Sequence, residues 1–505
     1  MTCYRTAEPQ RDSHYDSAYE QLESMIGELA APETRSCSHG EAEERIWEGG
    51  MELMRRLMQG YLDDRSSAEE PKVRVVGGDG EVRTHRRTEC RRELETRFGS
   101  VEIKRIGYSA RGLDSVFPLD AELNLPPQRY SHGLRKSLIS EAIHRSFDSS
   151  LEQMSRDLGG HLPKRQAEEL VVTLSRDFEA FYTRPLEPQS AQVDGERILV
   201  ISADGKGIVM HPSGLREATQ RAAEQAQQKM RTRLSPGEKA NRKRMATAVS
   251  VYLVAPHPRT PEQILQPDQH PQSPRPRPEH KRTWARVEPS TAAMVEEGFA
   301  EALRRDPEQT MRWVVLVDGQ EELVRQVQAV ADRYKVEVTI IQDFIHALEY
   351  LWKAAHVLHP HDSAEREAWV LDRAHALLLG KARDVAIGLR RAATRAQLSQ
   401  AQRSPVDKAA SYFENSQQRL RYDKALAQGF PIATGVIEGA CRHLIKDRMD
   451  ITGARWGLDR AEAILRLRSL KVSGDLDAYL TFHFEQERRR NYPAIAVPPL
   501  LAEAS

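Results

Sequence analysis

Between Arg197 and Ile341 the chain carries five short β-branched runs, RILVIS, MATAVSVYLV, RTWARV, WVVLV and VEVTII. Their order leaves few ways to fold. Insertions separate the first three, whereas each of the last two follows a stretch with apolar residues at helical spacing, PSTAAMVEEGFAEALRR and QEELVRQVQAVADRY. Three strands, then helix, strand, helix, strand, predicts a mixed sheet covered by helices. One insertion is a basic helical stretch over 213–244. The other, over 255–282, is rich in proline and is expected to pack no core.

That order is the order of an RNase H-like fold, in which the first strand lies beside the fourth. Asp204 then follows RILVISA and Asp318 follows WVVLV, so two acids distant in sequence meet at neighbouring strand ends. A third acid, Glu438, lies on a helix with Arg442, Lys446 and Arg448. Three carboxylates on rigid elements fit a site for two Mg²⁺ or Mn²⁺ ions, because hard cations take oxygen ligands and an ion pair about 4 Å apart activates water and stabilises a leaving oxygen. Asp343 also ends a strand and rivals Asp318 as the second acid. With His346 it either braces the site or caps a helix.

At 505 residues the chain exceeds one ordinary core, and several folded units are expected. Its 74 basic and 74 acidic side chains cancel, but they are segregated. Residues 1–70 hold 16 acids against 7 Lys and Arg, while Lys229, Arg231, Arg233, Arg242, Lys243 and Arg244 form a dense basic cluster suited to phosphates. Four cysteines far apart indicate neither a zinc ribbon nor a disulfide framework and suit a reducing cytosol. No run is long and apolar enough to cross a bilayer, so neither export nor membrane residence is expected.

Residues 15–62 read as acidic helices that pack together or on a partner, and Thr84–Tyr108 reads as a hairpin with an arginine-rich face. Residues 134–180 alternate helix, turn and helix, with Ser149 as N-cap. This is either a helix-turn-helix with Lys164 and Arg165 toward the major groove or an ordinary helical hairpin. In the helix opened by QDFIH, the stripe Ile345, Leu348, Trp352 and Ala355 is expected in the core. Arg455 and Trp456 could hold an unpaired base, although Trp456 could equally be core.

The segments ISADGKGIVM, RKRMATAVSVY, WVVLVDG, QDFIHALEYLWKAA, SPVDKAA and above all GVIEGACRHLIKDRMDITGARW resemble bacterial insertion-sequence transposases of the DDE type, of the Kra group related to the Mutator superfamily. The resemblance implies Asp204, Asp318 and Glu438 as the metal-holding triad, and it matches Asp343 and His346 to an accessory signature. It implies cleavage at the ends of an insertion sequence and joining of 3′-hydroxyls to target DNA. It also implies two divalent ions, terminal inverted repeats and target DNA as partners, a homo-oligomer on DNA, and a bacterial cytoplasmic, nucleoid-associated location. A DNA-binding relative without catalysis, or a nuclease that does not join, are the alternatives.

The organisation expected is an α+β multidomain chain. An acidic helical region (1–75), a hairpin and connector (76–130) and a helix-turn-helix-like domain (131–188) precede an RNase H-like core. That core is split (189–343 and 433–470) around an all-α insertion (344–432), and a helix and tail (471–505) follow.

Overall fold

The computed structural model describes residues 12–185, 196–225, 238–239, 241–270, 273–359, 363–451 and 453–493. They fall into two compact units, one running to Tyr182 and resuming at Asp477, the other spanning Thr183–Leu476. Among the described residues no helix is long and apolar enough to cross a membrane.

In the first unit, helices Asp16–Ala30 and His39–Ser67 pack together, as their apolar spacing predicts. Ser38 and Glu41 cap the second reciprocally. The pair leaves Tyr19, Leu22, Ile26, Trp47 and Tyr61 exposed. After a short ladder of β1 (Val75–Val76) and β2 (Val82–Arg83), the expected hairpin forms from β3 (His85–Thr96) and β4 (Gly99–Ser109). The long helix covers β4, and the Gln59 amide both donates to the Glu102 carbonyl and accepts from its N–H, at 2.9 Å each. The arginine-rich face is less free than its sequence suggests, because Arg92 and Arg105 turn onto the buried carboxylate of Asp120.

Helices His132–Ala142, Phe147–Asp157, Lys164–Leu174 and Phe178–Tyr182 follow. Ser146, not Ser149, caps the second, accepting from the Ser149 N–H at 3.1 Å. The terminal helix Leu476–Asn491, expected within a helix and tail over 471–505, belongs to this unit from Asp477 onward. Buried Arg135 makes a two-pronged pair with Glu487 at 2.6 and 2.9 Å. Asp177 meets His483 at 2.6 Å and Arg490 at 2.6 and 2.8 Å. Burial works against that carboxylate's charge, but His483 and Arg490 outweigh it and hold the pKa at about 2.

The second unit is built on β5 (Ile198–Val209), β6 (Lys243–Val254), β7 (Glu279–Arg286), β8 (Arg312–Val317) and β9 (Val338–Gln342). Their order is β7-β6-β5-β8-β9. The first three strands pair antiparallel, and β5–β8 and β8–β9 pair parallel. Parallel neighbours need a crossover, and helices Thr291–Arg305 and Glu321–Tyr334 supply it where the helical periodicity predicts. Alternate strand residues go to opposite faces. Ile198, Val200, Val314 and Leu316 join a core with helices of the 344–432 region. On the other face Gly298 lets helix Thr291–Arg305 come down on β5 and β6, since a Cβ there would lie 3.0 Å from Val249 and 3.4 Å from Ile201.

The open edge of β7 is covered by helix Leu458–Ser473. The N–H groups of Thr283, Ala285 and Val287 donate to Ser473, Ser469 and Glu462 at 3.0, 3.1 and 2.9 Å. Alternate residues from Thr283 to Val287 thus meet side chains of one helix face, which covers this part of the edge. The proline-rich stretch also differs from expectation. Thr260 and Gln263 cap a short helix Pro261–Leu265, Ile264 and Leu265 pack on the core, and β7 begins within its limits at Glu279. Proline at the first helical position suits that turn.

Candidate active site

Asp204 does not end its strand. The β5–β8 ladder stops at Ser202↔Leu316, while β5 runs on to Val209 paired with β6, and Asp204 faces Ala248 in that hairpin. Asp204 and Asp318 each lie two residues beyond the last parallel pair, so the register sets them side by side where β5 and β8 part. Asp204 Oδ1 accepts from the Gly205 N–H at 2.6 Å. Asp318 Oδ1 accepts from the Gln320 N–H at 3.0 Å, an Asx turn that needs glycine at 319. Gly319 has φ +99°, and a Cβ on it would lie 2.4 Å from Gln342 Nε2. Both carboxylates are half-buried.

Glu438 lies on helix Gly435–Ala440, which packs against β5 and β6 and continues as a π turn over Cys441–Lys446. A π turn widens the coil by one residue and re-aims what precedes it. Its carbonyls at His443 and Leu444 accept from buried Arg468, the latter at 2.7 Å. The Cys441 thiol links two of the acids. Burial pushes it well above the usual thiol range, and the carboxylates of Asp204 and then Glu438 add to the push.

Asp343 is fully enclosed at 1% exposure. Its N–H donates to the Val317 carbonyl at 2.8 Å, and its Oδ1 accepts from the His346 N–H at 2.7 Å as the N-cap of helix Phe344–Leu358. Its Oδ2 accepts from both the N–H and the hydroxyl of Thr434. The same hydroxyl stands 2.9 Å from Glu438 Oε1. One hydroxyl hydrogen serves one acceptor at a time, so Thr434 shares it between Asp343 and Glu438. Asp343 thereby ties the end of β8, a helix start and the base of the Glu438 helix. His346 is half-buried and edge-on to Tyr350.

A cleft of about 610 Å³ opens beside Asp318, lined by Gly319, Glu321, Tyr350, Tyr412 and by Ser404, Asp407 and Lys408 of the SPVDK segment. Burial raises the Tyr412 phenol, and Asp343 and Asp318 are near enough to raise it further. Tyr350 stacks on Tyr412 with centroids 4.0 Å apart.

The basic residues divide. Arg442, Lys446, Arg455 and Lys243 are exposed. Lys164 and Arg165 are exposed at a helix start but pair with Asp148 at 2.7 Å and Glu169 at 3.0 Å. Burial argues against Arg242 and Arg448 as DNA contacts, half-buried Arg244 is engaged elsewhere, and Trp456 takes its core alternative. Arg242 and Arg448 are 8% and 2% exposed, and Arg244 spends its guanidinium on the carbonyls of Gly214, Val287 and Glu288. Trp456 is 6% exposed, its indole donates to the Met449 carbonyl at 3.0 Å, and Arg448 lies over its ring. Its backbone bridges Met210, fixing this segment to the end of β5. Lys229, Arg231 and Arg233 lie outside the described residues.

Of the expected stripe, Ala355 is buried and Leu348 packs on the core, but Ile345 and Trp352 are exposed at 49% and 37%, and helix Phe344–Leu358 also buries Phe344, Ala347, Leu351 and Ala354. Thr434, Cys441 and Arg468 went unnoticed in the sequence. Only Thr434, one turn before an acid of interest, left a readable signal there.

No protein-family model and no curated protein matches this chain.

Proposed function

We propose that the chain is a DDE-type DNA transposase whose RNase H-like core, interrupted by an all-α insertion, carries Asp204, Asp318 and Glu438 as the metal-holding acids. The observation that supports this reading most is the register. Two acids stand at matching positions beyond the last pair of adjacent parallel strands, and the third lies on helix Gly435–Ala440, which packs against the first of those strands. The strand order β7-β6-β5-β8-β9, with its antiparallel and parallel halves, is the order expected of that core.

The donor set fits hard divalent cations, being three carboxylates on a sheet and a braced helix. Among the described residues no three His, Cys, Asp or Glu side chains are grouped closely enough to hold an ion together. Glu438 is exposed, and its tie to Thr434 is shared with Asp343. Bound at these acids, two Mg²⁺ or Mn²⁺ ions would supply an activated water for cleavage and stabilise the leaving oxygen.

The chain's own residues set the frame for that chemistry. Asp343 fixes β8 and the Glu438 helix to one point, Arg468 holds the π turn, and the Thr434 hydroxyl bridges Asp343 and Glu438. Exposed Arg442, Lys446, Arg455 and Lys243 are suited to phosphates of the element end and the target. Two ends cut together call for at least a dimer on DNA, and the resemblance implies terminal inverted repeats as the sites read and a bacterial nucleoid setting. The test is incubation of the full chain with labelled element ends and Mg²⁺. Joined 3′ ends support a transposase, and cleavage without joining makes it a nuclease. DNA binding with neither makes it a silent relative.

A further inference from the structure

A second recess, of about 430 Å³, lies in the same unit as the acids and is bounded by Gly435 and Val436 at the start of the Glu438 helix. Its walls are Tyr252, Val254, Pro276, Pro278 and Pro431, and three guanidinium groups converge on it, those of Arg259, Arg275 and Arg277. No Asp or Glu lines it among the described residues.

The charges of Arg259 and Arg275 repel each other there, and the repulsion leaves a trace. Arg259 is depressed to about 10 by burial and then by the charge of Arg275. The fold nevertheless pins Arg259 in place, through the His257 carbonyl at 3.0 Å and the Phe430 carbonyl at 2.5 Å. The backbone behind it is stapled as well. His257 N–H donates to the Gly429 carbonyl at 3.0 Å, and Gly429 sits at φ +74°, where a Cβ would lie 2.4 Å from the His257 nitrogen. Arg275 and Arg277 stand exposed at the rim. A cation cluster held in this way is relieved by an anion. The proline and valine walls add a flat apolar surface of the kind a base ring packs on, and guanidinium planes stack on bases too. The recess is too small for a duplex.

We propose that this recess takes one nucleotide of a single-stranded DNA segment, its phosphate held by Arg275 and Arg277 and its base against the apolar wall, one helical turn from Glu438. The inference rests on the transposase reading and adds to it a site for an unpaired strand end. An unpaired nucleotide seated there would lead the adjoining strand past the Glu438 helix.

Fluorescence anisotropy on the full chain tests it, with a blunt duplex and the same duplex carrying a four-nucleotide overhang as probes. Wild type is expected to bind the overhang probe at least about tenfold more tightly. The double variant Arg275→Ala/Arg277→Ala should lose that preference and keep its blunt-duplex affinity. Both residues are exposed, so its melting temperature should be unchanged, and thermal unfolding checks that directly. Equal binding of the two probes by wild type, or an equal loss on both in the variant, overturns the recess assignment while leaving DNA binding intact. Displacement of the overhang probe by millimolar inorganic phosphate as effectively as by a dinucleotide also overturns it, since a bare anion site would then suffice. A wild-type chain that binds neither probe overturns the transposase reading as well.

Discussion

At the scale of single residues, Asp318 and Asp343 separate by what holds them. Asp343 is enclosed and accepts from three donors, whereas Asp318 is half-buried and accepts from one backbone N–H. Asp343→Ala should therefore cost about 2–4 kcal/mol of stability, because three donors lose a buried charged acceptor. Asp318→Ala should cost well under 1 kcal/mol, and urea unfolding of the two variants measures the difference. A second residue makes stability depend on pH. His132 donates from Nε2 to the Asn124 carbonyl at 2.8 Å and has Arg135 3.4 Å from Nδ1. Burial, then Arg135, lowers its pKa from 6.5 to about 4. Below pH 6.5 the unfolded chain binds a proton that the folded ring refuses until about pH 4, so stability falls with pH through that window, by ~1–3 kcal/mol. His132→Phe should flatten this part of the acid profile, read as the denaturation midpoint at pH 7 and at pH 4.5. Residue-scale chemistry was partly legible. Asp204 and Glu438 stood out by context, but the burial of Arg242, Arg448 and Trp456 depends on neighbours far along the chain, which local composition does not carry.

At the scale of elements, periodicity located all five strands of the sheet and both crossover helices. It placed Leu348 and Ala355 of helix Phe344–Leu358 inward correctly but not Ile345 and Trp352, because the helix is apolar on more than one side and only the helices of the 344–432 region decide. The π turn after Glu438 has no signature in the sequence. Its support by Arg468 carries a prediction. Arg468→Met keeps much of the apolar stem but abandons the His443 and Leu444 carbonyls, and should lower strand joining at least about tenfold. Melting temperature should fall by only a few degrees. Unchanged joining in a folded variant would remove Arg468 from the positioning of Glu438. The β7 edge offers a control. Ser473→Ala leaves the Thr283 N–H without its side-chain acceptor and should cost about 1 kcal/mol with little change in joining per folded molecule.

At the scale of the whole molecule, zero net charge concealed an acidic helical pair and exposed cations around Glu438. The terminal helix belongs with the first unit although hundreds of residues intervene, through Arg135–Glu487 and the Asp177 cluster. Such long-range ion pairs are invisible to a reading that works window by window. The most direct test of the central claim is a strand-transfer assay with labelled element ends, target DNA and Mg²⁺ or Mn²⁺, run on wild type and on Asp204→Asn, Asp318→Asn and Glu438→Gln. Metal-dependent 3′-end joining by wild type, with each variant inactive but still binding DNA, is the predicted result. Joining that persists in Asp318→Asn, or none from wild type with either metal, would contradict the assignment of these three acids as the catalytic centre.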